Sequence, residues 1–115
     1  MMSMQPCGAA DPLVSVIINN FNYGRFLSEC IKSALDQTYH SVEVVVVDDG
    51  STDNSRNVIH DFAGKVIPVL KANGGQASAF NAGFASSRGG VVCFLDSDDF
   101  FAPHKVNVLI AEVAE

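Results

Sequence analysis

The chemistry-bearing side chains of this 115-residue chain are gathered in a few places. Asp48-Asp49 closes one apolar run, Asp96-Ser97-Asp98-Asp99 closes a second, and Asn19-Asn20-Phe21-Asn22 closes a third. Oxygen-only ligands suit a hard divalent cation such as Mg²⁺ or Mn²⁺, which keeps water or phosphate oxygens among its ligands. The D-x-D spacing of Asp96 and Asp98 lets two carboxylates on one turn face the same ion, and a buried strand has little structural reason to end that way. Two like charges 4 Å apart repel by about 1 kcal/mol in water and about 4 kcal/mol at an effective dielectric of 20, so five gathered aspartates require a counter-charge.

Each of these features also has a plainer use. Asp48 followed by Gly50-Ser51 is what a turn and a helix cap would employ. Asp53 suits the first turn of a helix better than a ligand set. Ser97 and Asp99 can serve simply to shape a turn. Asn73-Gly74-Gly75-Gln76 puts glycines and free backbone N–H groups ahead of a helix, a place suited to an anion. Phe21 and Tyr23 either pack on a base or pack on their neighbours. A dinucleotide G-x-G-x-x-G is missing after the first run, and so is G-x-x-x-x-G-K-[ST].

The elements that must position these residues follow from periodicity. Apolar, β-branched runs at residues 14–18, 42–47, 66–70 and 91–95 predict four strands, with Pro68 placing the third at an edge. Spacing of three and four predicts helices over residues 25–37, 53–63 and 76–87, and Pro103 opens a last one running towards Glu115. Strand–helix alternation implies an α/β fold with parallel strands and right-handed crossovers. Strands that are apolar throughout imply a sheet covered on both faces. In such a sheet ligands bind beyond the carboxyl ends of the strands, where the Asn and Asp clusters fall.

Composition sets the outer bounds. With 48% hydrophobic residues and 17% charged, the chain can bury a core. Thirteen acidic residues against 7 basic ones give a net charge of -6, which argues against nucleic acid or an anionic membrane surface as partner. Five of the acids are those at the ends of the second and fourth strands, and without them the balance is 8 against 7. Three cysteines without CxxC spacing and three scattered histidines give no zinc site or disulfide framework, so a reducing cytoplasm is expected. Neither a membrane span nor a signal peptide is expected.

In order and spacing these blocks resemble family 2 glycosyltransferases. Residues Val14 to Asn22 are similar to that family's opening strand, and Ser33-Ala34-Leu35-Asp36-Gln37-Thr38-Tyr39 to the end of its first helix. The run from Glu43 through Asp48-Asp49-Gly50-Ser51-Thr52-Asp53 looks like its nucleotide signature. Asn73-Gly74-Gly75 with Asn81-Ala82-Gly83 is similar to its third block, and Phe94-Leu95-Asp96-Ser97-Asp98-Asp99 to its metal motif. The resemblance implies a Rossmann-like, three-layer α/β/α GT-A fold with a mainly parallel sheet. It implies a nucleotide-diphosphate sugar, above all a UDP-sugar, bound with Mn²⁺ or Mg²⁺ and transferred with inversion to a saccharide acceptor. Carried onto this chain, Asn19 meets the base and Asp49 accepts from it, with Asp48 beside it. Phe21, Gly75 and Gln76 complete the nucleotide contacts. Asp96 reaches the ribose or the metal, and Asp98 ligates the metal.

Two departures matter. Phe80 stands where many relatives carry a basic residue, so no diphosphate contact is expected from it. A family catalytic domain is also longer than this chain. The expected division is a loose leader at residues 1–11 and a donor-binding half at 12–115, with the acceptor half and the general base beyond Glu115. Such a piece is expected to bind donor, to transfer nothing alone and to self-associate through an uncovered apolar face. The full enzyme is expected to build a cell-surface polysaccharide, cytoplasmic or peripheral at the inner membrane. The alternatives are a non-catalytic binding module of the same fold and, more remotely, a phosphate-signalling receiver domain.

Overall fold

The computed structural model describes residues 11–114, so the expected leader lies outside the described residues except for Asp11. Along the chain come β1 (Val14–Asn20), α1 (Gly24–Leu35), β2 (Val42–Asp49), α2 (Ser55–His60), β3 (Ile67–Lys71), α3 (Gln76–Ser86), β4 (Val91–Asp96) and α4 (Lys105–Ala114). The four strands form one parallel sheet in the order β3-β2-β1-β4. Pro68 sits in β3, at the edge of the sheet, where proline is tolerated because one side of the strand has no ladder to complete. The order also differs from the 2-1-3 arrangement of a receiver domain.

Because side chains alternate along a strand, each strand feeds two cores. Val14, Val16, Ile18, Val44 and Val46 pack with Leu27, Cys30, Ile31 and Ala34 of α1, Ile59 of α2 and Val106 of α4. On the other face Ile17, Val45 and Val47 pack with Ala79 of α3. Helices therefore cover both faces, giving the expected three layers. Gly83 lets α3 lie close: a Cβ there would come within 2.5 Å of the Ile17 side chain.

At the N-terminal end of the sheet a buried carboxylate ties the strands together. Glu43 accepts from the Ser15 hydroxyl at 2.6 Å, the Arg88 N–H at 2.6 Å and the Arg88 guanidinium at 3.1 Å. Burial opposes its charge, but these donors outweigh burial and hold the carboxyl below its usual range.

The strands run further than their apolar runs. Parallel pairing continues through Asn19↔Val47, Asn20↔Asp48 and Asn19↔Asp96, since the backbone ladder does not depend on side-chain polarity. The polar clusters thus begin on the sheet, not in the loops. Helix α2 is shorter than the expected 53–63. Asp53 lies ahead of it, accepting from the Ser55 N–H at 2.9 Å and, across the junction, from the Gly24 N–H that opens α1, also at 2.9 Å. It caps rather than occupies a first turn.

Candidate functional site

A cavity of about 410 Å³ opens at the carboxyl end of the sheet. Of the residues singled out from sequence, Asn19, Phe21, Asp49, Gly75, Gln76, Asp96 and Asp98 line it. Asp48 does not. Strand alternation sends Asp48 to the face of α1 and α2, and sends Asp49 to the face of α3. The expectation that the two aspartates stand side by side at a nucleotide is corrected by this pleat.

Asp48 is fully buried. It accepts from the Asn20 amide at 3.0 Å, the Ser51 N–H at 3.0 Å, the Ser51 hydroxyl at 2.5 Å and the Arg56 guanidinium at 2.9 Å. Burial alone would favour the protonated acid. The Ser51 hydroxyl and the Arg56 guanidinium, with the other donors, reverse that and hold the carboxyl below its usual range.

Asp49 is almost as enclosed. One oxygen takes Lys71 Nζ at 2.8 Å and the Gly74 N–H at 3.0 Å; the other takes the Gly75 N–H at 3.0 Å and Asn73 Nδ2 at 3.3 Å. Against burial, Lys71 and the two glycine N–H groups keep it ionised, its carboxyl below the usual range. The backbone N–H groups before α3 are thus not free, as the sequence reading has them. They hold the chain's own carboxylate. A carboxylate has about four acceptor positions, so a ligand N–H reaching Asp49 must share or displace a donor.

The turn after β4 is different. Asp96, Asp98 and Asp99 are exposed. The Asp99 N–H donates to the Asp96 carbonyl at 3.0 Å, and Asp99 accepts from the Phe100 N–H at 2.8 Å, closing the turn. Among the described residues, no basic group lies in ion-pair reach of these carboxylates. No group of three or more His, Cys, Asp or Glu there is placed to hold a metal unaided. Two exposed carboxylates on one turn fit a hard cation that draws its remaining ligands from phosphate and water.

The aromatic wall is clamped. Asn22, the one non-glycine with positive φ among the described residues (φ 59°), turns its amide onto the β2–α2 loop. Its Oδ1 accepts from the Thr52 N–H at 2.8 Å, and its own N–H donates to the Ser51 hydroxyl at 2.9 Å. This fixes Phe21 and Tyr23 at the cavity mouth, each 45% exposed. Phe80 packs edge-on against Phe94, ring centres 4.7 Å apart, and offers no charge.

Sequence reasoning leaves Lys71 and Arg56 out of the site and names Asn73 only as the residue that opens the glycine loop. The signal for Lys71 was strand register, since Asp49 and Lys71 are Cα partners across β2 and β3. Asn73 lines the cavity beside the glycines it precedes.

Known proteins resemble this chain in sequence and in fold. An uncharacterized glycosyltransferase of Nostoc sp. is 52% identical over 101 residues, covering 84% of this chain and 31% of its own length. The structure of S. aureus TarS 1–349 in complex with UDP-GlcNAc superposes with a TM-score of 0.78 at 28% identity, over 89% of this chain and 31% of that one. A mannosyltransferase from Pyrobaculum calidifontis in complex with GDP-Man and Mn²⁺ gives 0.73 at 26% identity, over the same shares. This chain therefore spans about a third of the curated relatives it matches first. The model of the family described as glycosyl transferase family 2 matches residues 15–115, nearly the whole of the sheet and its helices, and the chain belongs to that family.

Proposed function

We propose that this chain is the donor-binding part of an inverting glycosyltransferase that takes a nucleotide-diphosphate sugar, most simply a UDP-sugar, together with Mn²⁺ or Mg²⁺. One observation carries the reading: a single cavity receives an amide from β1, a carboxylate from β2, the glycine loop before α3 and the D-x-D turn after β4. The complexes of the two solved relatives with UDP-GlcNAc and with GDP-Man and Mn²⁺ support the ligand class. Base and ribose would lie along Phe21, Asn19, Gly75 and Gln76, the diphosphate towards Asp96 and Asp98. A cation held by Asp98 and Asp96 would neutralise the diphosphate as it leaves.

Inverting transfer needs a base for the acceptor hydroxyl. Asp49 is taken up by four donors, and Asp96 and Asp98 are assigned to the cation, so the base and the acceptor site are proposed for parts of the protein beyond residue 115. No helix among the described residues is long and apolar enough to cross a membrane. We place the donor site on the cytoplasmic side, and polysaccharide synthesis as the role of the whole protein.

Calorimetric titration of the 115-residue chain with UDP tests this. Binding strengthened at least tenfold by Mn²⁺, with no sugar transfer, is the expected result. Metal-independent binding, or binding unaffected by Asp98→Ala, would overturn the metal assignment.

A further inference from the structure

The turn that carries Asp96 and Asp98 is fastened at both feet to one helix. Before it, the Asp96 carbonyl accepts from the Cys30 thiol of α1 at 3.4 Å. After it, the Phe101 N–H donates to the Ser33 hydroxyl at 3.0 Å, and that hydroxyl donates to the Cys30 carbonyl at 2.7 Å. Cys30 and Ser33 are neighbours on one face of α1, since residues three apart on a helix lie side by side. Ser97, Asp98, Asp99 and Phe100 form the span between the two feet. Cys30 and Ser33 lie outside the lining of the cavity, so they act on the turn and not on a guest.

Beyond Phe101 the fastening continues. Gln37 Nε2 donates to the Ala102 carbonyl at 2.7 Å and to the Ser33 carbonyl at 3.1 Å, while Gln37 Oε1 accepts from the Val106 N–H at 2.9 Å. The Ser33 carbonyl belongs to the last turn of α1 and the Val106 N–H to the first turn of α4, groups for which a helix end provides no partner of its own. The Thr38 N–H donates to the Pro103 carbonyl at 2.9 Å. Cys30, Ser33, Gln37 and Thr38 thus meet Asp96, Phe101, Ala102 and Pro103 in the same order along both segments. Residues 97–104 are neither helix nor strand. The end of α1, not a backbone ladder, holds them in place.

A divalent cation demands oxygens at set distances and angles, and two carboxylates with no cation between them repel. A loose turn splays under that repulsion and has to be ordered each time a cation binds, which lowers affinity. A turn with both feet fixed keeps its carboxylates together before the cation arrives.

Resting on the nucleotide and metal reading above, we propose that Ser33 and Gln37 are positioning residues of the metal turn. They hold Asp96 and Asp98 in the arrangement that takes a cation together with a nucleoside diphosphate, and so set the strength of the metal effect while touching neither ligand.

The test is calorimetric titration of the full 115-residue chain with UDP, with and without MnCl₂, for wild type, Gln37→Met and Ser33→Ala. Gln37→Met keeps the length of the side chain and removes both ends of the amide. The metal-free affinity of each variant for UDP is expected to stay within about twofold of wild type, while the strengthening by Mn²⁺ falls about tenfold, the loss that follows when an outer support of metal ligands is removed. Ser33→Ala carries the comparison alone if Gln37→Met does not fold. UDP affinity lost equally with and without Mn²⁺ makes these residues supports of the fold only and overturns this inference. Wild-type strengthening by Mn²⁺ retained in either folded variant overturns it as well, and leaves the donor-site reading standing. A wild-type chain that ignores UDP, or binds it without a Mn²⁺ effect, overturns the nucleotide or the metal reading and this inference with it.

Discussion

At the end of β2 two aspartates are enclosed, each with its own cation: Asp48 with Arg56 and Asp49 with Lys71. At the end of β4, two strands away, Asp96 and Asp98 are exposed and no basic group of the described residues reaches them. The residue type is the same and so is the rim of the sheet. A carboxylate provided with donors by its own chain is part of the construction, stiffening the loops around it. One that is left bare is available to a guest. The sequence surplus of acid therefore divides in two, and the cation proposed above falls to the bare carboxylates of the β4 turn.

Acid offers the broadest way to break this contrast. Glu43, Asp48, Asp49 and Asp53 all have carboxyls held below their unfolded values. The unfolded chain then binds more protons than the folded one, so stability is fully present above the unfolded pKa and is lost as pH falls through the folded one. Urea titrations from pH 7 downward should show stability declining below about pH 5. The slope should be shallower in Asp48→Asn than in wild type.

Asp48→Ala comes next. It strips Asn20, Ser51 and Arg56 of their common acceptor, and should cost about 3 kcal/mol in urea unfolding, a figure moderated by the half-exposed Arg56. Lys71→Met leaves Asp49 with the loop N–H groups and the Asn73 amide alone, and should cost about 2 kcal/mol. Asp98→Ala is the smallest in stability, within about 0.5 kcal/mol of wild type, while removing the Mn²⁺ effect on UDP binding. Equal destabilisation by Asp48→Ala and Asp98→Ala would erase the distinction between the two strand ends.

Much of this was legible beforehand. The four strands, the edge position of Pro68 and the rim that gathers Asn19, Asp49 and Asp96 follow from apolar runs and turn residues, because burial and backbone pairing act locally on composition. The partners of those carboxylates were not legible. Arg56 sits in α2 and Lys71 at the end of β3, each meeting its aspartate only once β2 and β3 have paired and α2 has packed. The glycine loop reads as an empty anion seat from sequence, yet the anion that fills it comes 25 residues earlier in the chain, from Asp49.

By itself the sequence determined the family, the order of the elements and which residue types crowd the carboxyl ends of the strands. Tertiary structure decided which of them face outward. A strand's alternation is absolute once its register is set, so extending β2 by two residues turned Asp48 inward to Arg56 and Asp49 to the loop before α3. The same ladder set Asn19 in the cavity wall beside Asp96, on β1 between the strands that carry the two acidic ends.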